Sequence, residues 1–115
     1  MNITIFKNIK DTSAPFVRNV ALILERIRNG KSKELIVAIR KEKDKEARNK
    51  LKQDLPAICF SGVFTKREDK AIEQHSGLIC LDFDGFKTKK AMAEKKAKLS
   101  KDKYVYSVFI SPSGN

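Results

Sequence analysis

Residues 77–86 read GLICLDFDGF, and the fold depends on how that stretch is taken. Leu78-Ile79-Cys80-Leu81 is apolar at every position, too short for a helix and flanked by Gly77 and Gly85, so Gly77–Phe83 reads as a buried central strand. Ala57–Phe64 (AICFSGVF) before it has the same character, and Tyr104–Ile110 (YVYSVFI) after it reads as another strand. Between the first two, Thr65–Ser76 (TKREDKAIEQHS) is polar enough for a surface loop or a short helical turn.

Toward the N-terminus the period changes. Residues 2–6 (NITIF) form a β-prone run. Asp11, Thr12 and Ser13 then offer helix caps ahead of Pro15, which predicts a helix with Phe16, Val20, Ile23 and Ile27 on one stripe and Asn29-Gly30 as its stop. Ser32 caps a second expected helix with Leu35, Ile36 and Ile39 inward. Arg40–Lys52 (RKEKDKEARNKLK) reads as a largely exposed helix with only Ala47 and Leu51 inward, ended by Leu55-Pro56. Beyond Gly85, Thr88 caps a Lys/Ala-rich helix to about Leu99. The expected order is β-α-α-(α)-β-β-α-β, an α+β fold, with neither repeats nor a linker, so residues 1–115 are expected to be a single domain. The chain stops at Asn115 inside a Ser/Gly turn, where a further strand is expected, so it reads as the N-terminal fragment of a longer protein.

Composition narrows the function classes. Hydrophobic residues at 41% supply a core, and 34% charged residues with a mean hydropathy of −0.44 speak for a water-soluble chain. No apolar run approaches the roughly 20 residues needed to span a bilayer. Met1–Lys10 lacks the features of a signal peptide, so a cytoplasmic location without membrane contact is expected. Cys59 and Cys80 lie in apolar runs outside any CxxC or Cys/His cluster and read as two buried free thiols. The 25 basic against 14 acidic residues give +11, which points to polyanionic partners.

Asp82 and Asp84 carry the sharpest chemical signal. On a strand they project to the same side with Cα atoms about 6.7 Å apart, at a strand end where ligand crevices form. Two such carboxylates repel unless a cation sits between them or one is protonated, so a hard divalent ion, Mg²⁺ or Mn²⁺, is expected there. The plainer alternative is a turn or cap Asp before Gly85.

The flanks favour phosphate chemistry. Residues 87–103 hold eight lysines, at 87, 89, 90, 95, 96, 98, 101 and 103, against Glu94 and Asp102, so they contribute +6 of the +11. Lys89, Lys90, Lys95, Lys96 and Lys98 are the expected nucleic-acid contacts, although a solvated helix face would look the same. Ser111-Pro112-Ser113-Gly114-Asn115 can aim hydroxyls and backbone N–H groups at a phosphate, or simply connect strands. Ser61-Gly62 and the pair Lys66 and Arg67 are further candidate phosphate contacts, or else a strand bulge and a surface turn. His75 has no partner at metal-ligand or triad spacing and reads as a loop residue.

Taken in order, FSGVFTKR, HSGLICLDFDGF and VFISPSGN resemble the VirE N-terminal domain family of mobile-element and phage replication proteins, which looks like a branch of the archaeo-eukaryotic primase and primase-polymerase superfamily. The resemblance runs from about Lys31 onward. It implies an RRM-like antiparallel sheet packed against helices, joined to an N-terminal α/β unit, here as an incomplete primase-polymerase-like fold. It also implies that Asp82 and Asp84 are the catalytic, metal-binding Asp-x-Asp motif, and that Ser111, Ser113 and Gly114 open a Ser-x-x-Gly-x-His nucleotide motif. The motif's histidine and a third acidic motif are absent, so the fragment alone is expected to be inactive. The implied partners are a DNA or RNA template, nucleoside triphosphates, and a downstream helicase or replication domain in the same chain.

Three functions compete on these residues. The first is a nucleotidyltransferase domain or its idle relative. Next comes a non-catalytic nucleic-acid-binding module with structural carboxylates. The third is a haloacid-dehalogenase-type phosphatase, which LDFDG resembles, with Asp82 as nucleophile and Asp84 as acid/base. Phe86 stands where that family carries Thr or Val, and too little chain follows to supply its later residues.

Overall fold

The computed structural model describes residues 1–114. Its described residues form two compact units, Met1–Leu81 and a second beginning at Asp82. Helices and antiparallel sheets are both present, so the α+β class holds.

In the first unit, strand β1 (Asn2–Phe6) lies between β2 (Phe16–Asn19) and β3 (Ala57–Cys59), antiparallel to both. A middle strand is covered on both faces, and Ile3, Thr4 and Phe6 are fully buried. Ile3 joins Val20 and Ile23 of helix α1 (Val20–Arg28) in the core, with Ile5, Leu24, Ile27, Ile58, Phe60 and Leu78 packed around them. Helices α2 (Lys33–Lys41) and α3 (Lys45–Lys52) follow. A second sheet pairs β4 (Gly62–Phe64) with β5 (Ile72–His75), reached through a 3₁₀ turn at Asp69–Ala71. In the second unit α4 (Lys89–Ser100) is the only helix or strand among the described residues.

Several expected boundaries moved, each for a local reason. The first helix begins at Val20 rather than near Pro15. Asp11 does not cap a helix: its carboxylate accepts from the backbone N–H groups of Ser13 and Ala14 and closes a turn, which frees residues 16–19 to pair with β1. Asn19 is the cap instead, its side chain accepting from Ala21 N–H at 2.9 Å. Asn29 and Gly30 stop α1 as read, with Gly30 at φ 69°. The expected Arg40–Lys52 helix is interrupted before Asp44, which starts a new helix by accepting from Ala47 N–H at 2.9 Å. Ala57–Phe64 is two short strands rather than one, divided at Phe60-Ser61.

The two other expected strands are missing. Residues 77–88 form neither helix nor strand, and Ile79 and Leu81 are 85% and 72% exposed. Sheet pairing ends at His75, after which Gly77 takes φ 85° and turns the chain out of line. The Ser76 hydroxyl fixes that exit, donating to the Phe60 carbonyl and accepting from Leu78 N–H. Tyr104–Ile110 is likewise irregular, because the second unit offers no strand among its described residues for a ladder to form against. Nor are the two thiols buried: Cys59 is half-buried and Cys80 exposed.

Candidate nucleic-acid interface

The second unit gathers most of the sequence candidates. Asp82 and Asp84 are exposed and stand on the irregular stretch before α4, not at the end of a buried strand. Phe83 between them packs toward α4, with the Lys95 ammonium 5.3 Å from its ring centroid. Helix α4 is therefore held beside the acidic pair. Among the described residues no group of three or more His, Cys, Asp or Glu side chains could hold a metal ion. The two carboxylates alone match the way Mg²⁺ is commonly held, by one or two carboxylates with waters and substrate phosphates completing the shell.

Thr88 starts α4, its hydroxyl accepting from Ala91 N–H at 3.0 Å. No residue of this helix is buried. Lys89, Lys90, Lys95, Lys96 and Lys98 are spaced so that they wind around the whole helix. All but Lys95 are exposed, and Lys90 meets Glu94 at 4.0 Å in a surface pair of little energetic weight. From Asp82 onward the chain carries eight lysines against four carboxylates, Asp82, Asp84, Glu94 and Asp102.

Sequence reasoning missed a second feature of this unit. Tyr104 and Tyr106 are 84% and 54% exposed, and Phe83 and Phe109 lie open as well. The Lys103 ammonium stands 5.0 Å from the Tyr104 ring centroid. These rings read as core because they belong to apolar runs. Two lysines at 101 and 103 running into two tyrosines at 104 and 106 (KDKYVY) were the available signal.

Ser111, Ser113 and Gly114 form a closed turn. Gly114 N–H donates to the Ser111 carbonyl at 2.9 Å, the two hydroxyls lie 3.2 Å apart, and Gly114 takes φ 82°. Asn115, the last residue of that motif, lies outside the described residues.

Lys66 and Arg67 belong to the first unit, and each has a local partner there. Lys66 pairs with Glu68 at 3.3 Å, both exposed. Arg67 clamps the loop before β2, its guanidinium donating to the Ile9 carbonyl and its backbone N–H to the Thr12 carbonyl. His75 pairs with Gly62 in the β4–β5 ladder, so it is a strand residue, not a loop one.

A family model described as "BT4734-like, N-terminal domain" matches residues 50–115, more than half of the chain. The chain belongs to this family. The BT4734-like match takes in Asp82, Asp84, all of α4 and the Ser111–Gly114 turn. Comparison of this BT4734-like chain with curated proteins and with solved structures gave no match.

Proposed function

We propose that this chain is a nucleic-acid-binding domain of a replication-type protein, related to the VirE N-terminal and primase-polymerase families, which holds a single strand against its second unit. The observation that carries this is α4 with its flanks: lysines around a helix with no fully buried residue, next to exposed aromatic rings with ammonium groups over two of them. Lysines neutralise backbone phosphates without reading sequence. Exposed rings offer faces on which unpaired bases stack, and a duplex keeps those faces covered. The resemblance of LPAICFSGVF and SGLICLDFDGF to replication-associated sequences supports the same assignment.

Anisotropy of a labelled oligonucleotide, titrated across a salt series, tests it. Single strands should bind more tightly than duplex. Replacing Lys95, Lys96 and Lys98 by Gln should lower the slope of log K against log salt by about 2, near 0.7 for each lost contact. Tyr104→Ala should cost about 1–3 kcal/mol of single-strand affinity. Binding that ignores salt and both sets of changes would reject the assignment.

A second reading is favoured by the exposed, closely spaced Asp82 and Asp84 beside lysines. Here the pair holds Mg²⁺ or Mn²⁺ and, with the Ser111–Gly114 turn on the phosphates, seats a nucleoside triphosphate. The ion would supply charge neutralisation for the phosphates; the chain's own residues would orient them. Manganese-dependent retention of a nucleoside triphosphate, lost in Asp82→Asn, is the expected result.

A further inference from the structure

A cavity of about 280 Å³ lies in the first unit, and of the candidate phosphate contacts Ser61 and Arg67 line it. Phe60 and Phe64 give it apolar walls, Arg67, Glu68 and Asp69 a charged edge, and Cys59 and Cys80 both line it. Two cysteines separated by 21 positions thus line one space. A structural metal site needs about four donors, and no cluster of three exists among the described residues. What the pair offers is thiol chemistry.

The two cysteines differ in setting. Cys59 is fixed on β3, opposite Thr4 of β1. Cys80 is exposed on a stretch where, among the described residues, Ile79, Cys80 and Leu81 make no backbone hydrogen bond, so its movement breaks no ladder. We propose that Cys59 and Cys80 are a redox pair which hydroperoxides convert to an intramolecular disulfide.

The chemistry balances in two steps. The Cys80 sulfur attacks one peroxide oxygen, the O–O bond breaks, and a sulfenic acid and one water result. The Cys59 sulfur then attacks the Cys80 sulfur and expels hydroxide, which takes the Cys59 proton and leaves as the second water. Two thiols and one hydrogen peroxide give one disulfide and two waters, with the peroxide reduced by two electrons. Access assigns the first step to Cys80. Burial pushes the Cys59 thiol up while the Arg67 guanidinium draws it back, which suits Cys59 to the second, resolving step. The product pins the stretch before Asp82 to β3, with a loop of 20 residues enclosed between the two cysteines.

Equimolar hydrogen peroxide, added to the reduced chain, tests this by intact mass and peptide mapping. The expected product is about 2 Da lighter, joins the Cys59 and Cys80 peptides, and reverts with dithiothreitol. In Cys59→Ser, dimedone should trap a sulfenic acid on Cys80. Cys80→Ser should consume peroxide at least about tenfold more slowly. Wild-type chain that keeps a free Cys59 while Cys80 gains dimedone or two oxygens, or that yields only Cys80–Cys80 dimers, would overturn the proposal. The wild-type mass measurement stands even if a serine variant fails to fold.

Discussion

The Thr4 hydroxyl donates to the Gly62 carbonyl at 2.8 Å, across 58 positions of sequence, and also accepts from Phe64 N–H at 2.9 Å. Thr4 is the one buried polar residue among those described, so this hydroxyl satisfies two backbone groups of β4 from the middle strand of the other sheet. Thr4→Val keeps the shape but strands both groups, each at about 1–3 kcal/mol. Urea denaturation should show a loss of about 2–4 kcal/mol. Thr4→Ser keeps the hydroxyl and should lose only about 1 kcal/mol, for the missing methyl.

Gly62 tolerates no side chain. A Cβ there would stand 1.9 Å from the Gln74 carbonyl oxygen, which the ladder to β5 holds in place. Gly62→Ala should destabilise by at least about 3 kcal/mol. Gly77→Ala meets nothing within 4 Å, so only its φ of 85° is penalised, at about 1–2 kcal/mol. Equal midpoint shifts for the two variants would refute the clash.

These contacts show what the sequence held and what it did not. β1, the stop at Asn29-Gly30, and the Thr88 cap were legible because apolar runs and capping side chains act within a few residues. Strand membership is not local. GLICLDF has strand composition, yet it lies outside both sheets, because a strand also needs a partner at the right height and Gly77 turns this one away. The opposite error occurred at Ile72–His75, which carries one apolar residue yet pairs with β4. Asp82 and Asp84 were found as chemistry, but their strand-end position followed from the strand and went with it. The Cys59–Cys80 cavity left no sequence signal, since a separation of 21 residues means nothing until the chain folds.

Helix α4 should depend on its cap more than α1 does. With none of its residues fully buried, against Val20 and Ile23 in α1, tertiary packing contributes less, and Thr88 satisfies an N–H group that would otherwise be open. Thr88→Ala should cost about 1 kcal/mol of helix stability, visible as reduced far-ultraviolet helicity, while Thr88→Ser retains it.

Cys59 predicts an alkaline limit on the first unit. Burial raises its folded-state pKa above the ordinary 9.0, opposed in part by Arg67. A raised pKa means that the folded state holds the proton more firmly. The associated stability is therefore complete below about pH 9 and disappears as pH climbs through the folded value. Melting temperatures of wild type and Cys59→Ala should run parallel at neutral pH and converge at alkaline pH, where the wild type loses its advantage. Curves that stay parallel throughout would show that the thiol is not desolvated.

The acidic pair offers the cleanest separation of the two functional readings. Without a divalent ion, Asp82 and Asp84 place two negative charges beside the lysines of α4, where they repel phosphate. Asp82→Asn with Asp84→Asn should therefore tighten oligonucleotide binding several-fold in low salt, an advantage that shrinks as salt screens it. Added Mn²⁺ should narrow the same difference from the other side, by neutralising the wild-type pair while leaving the variant unaffected. A double variant that binds oligonucleotide more weakly, with or without Mn²⁺, would show that the carboxylates organise the interface, and the electrostatic account of α4 would fail with them.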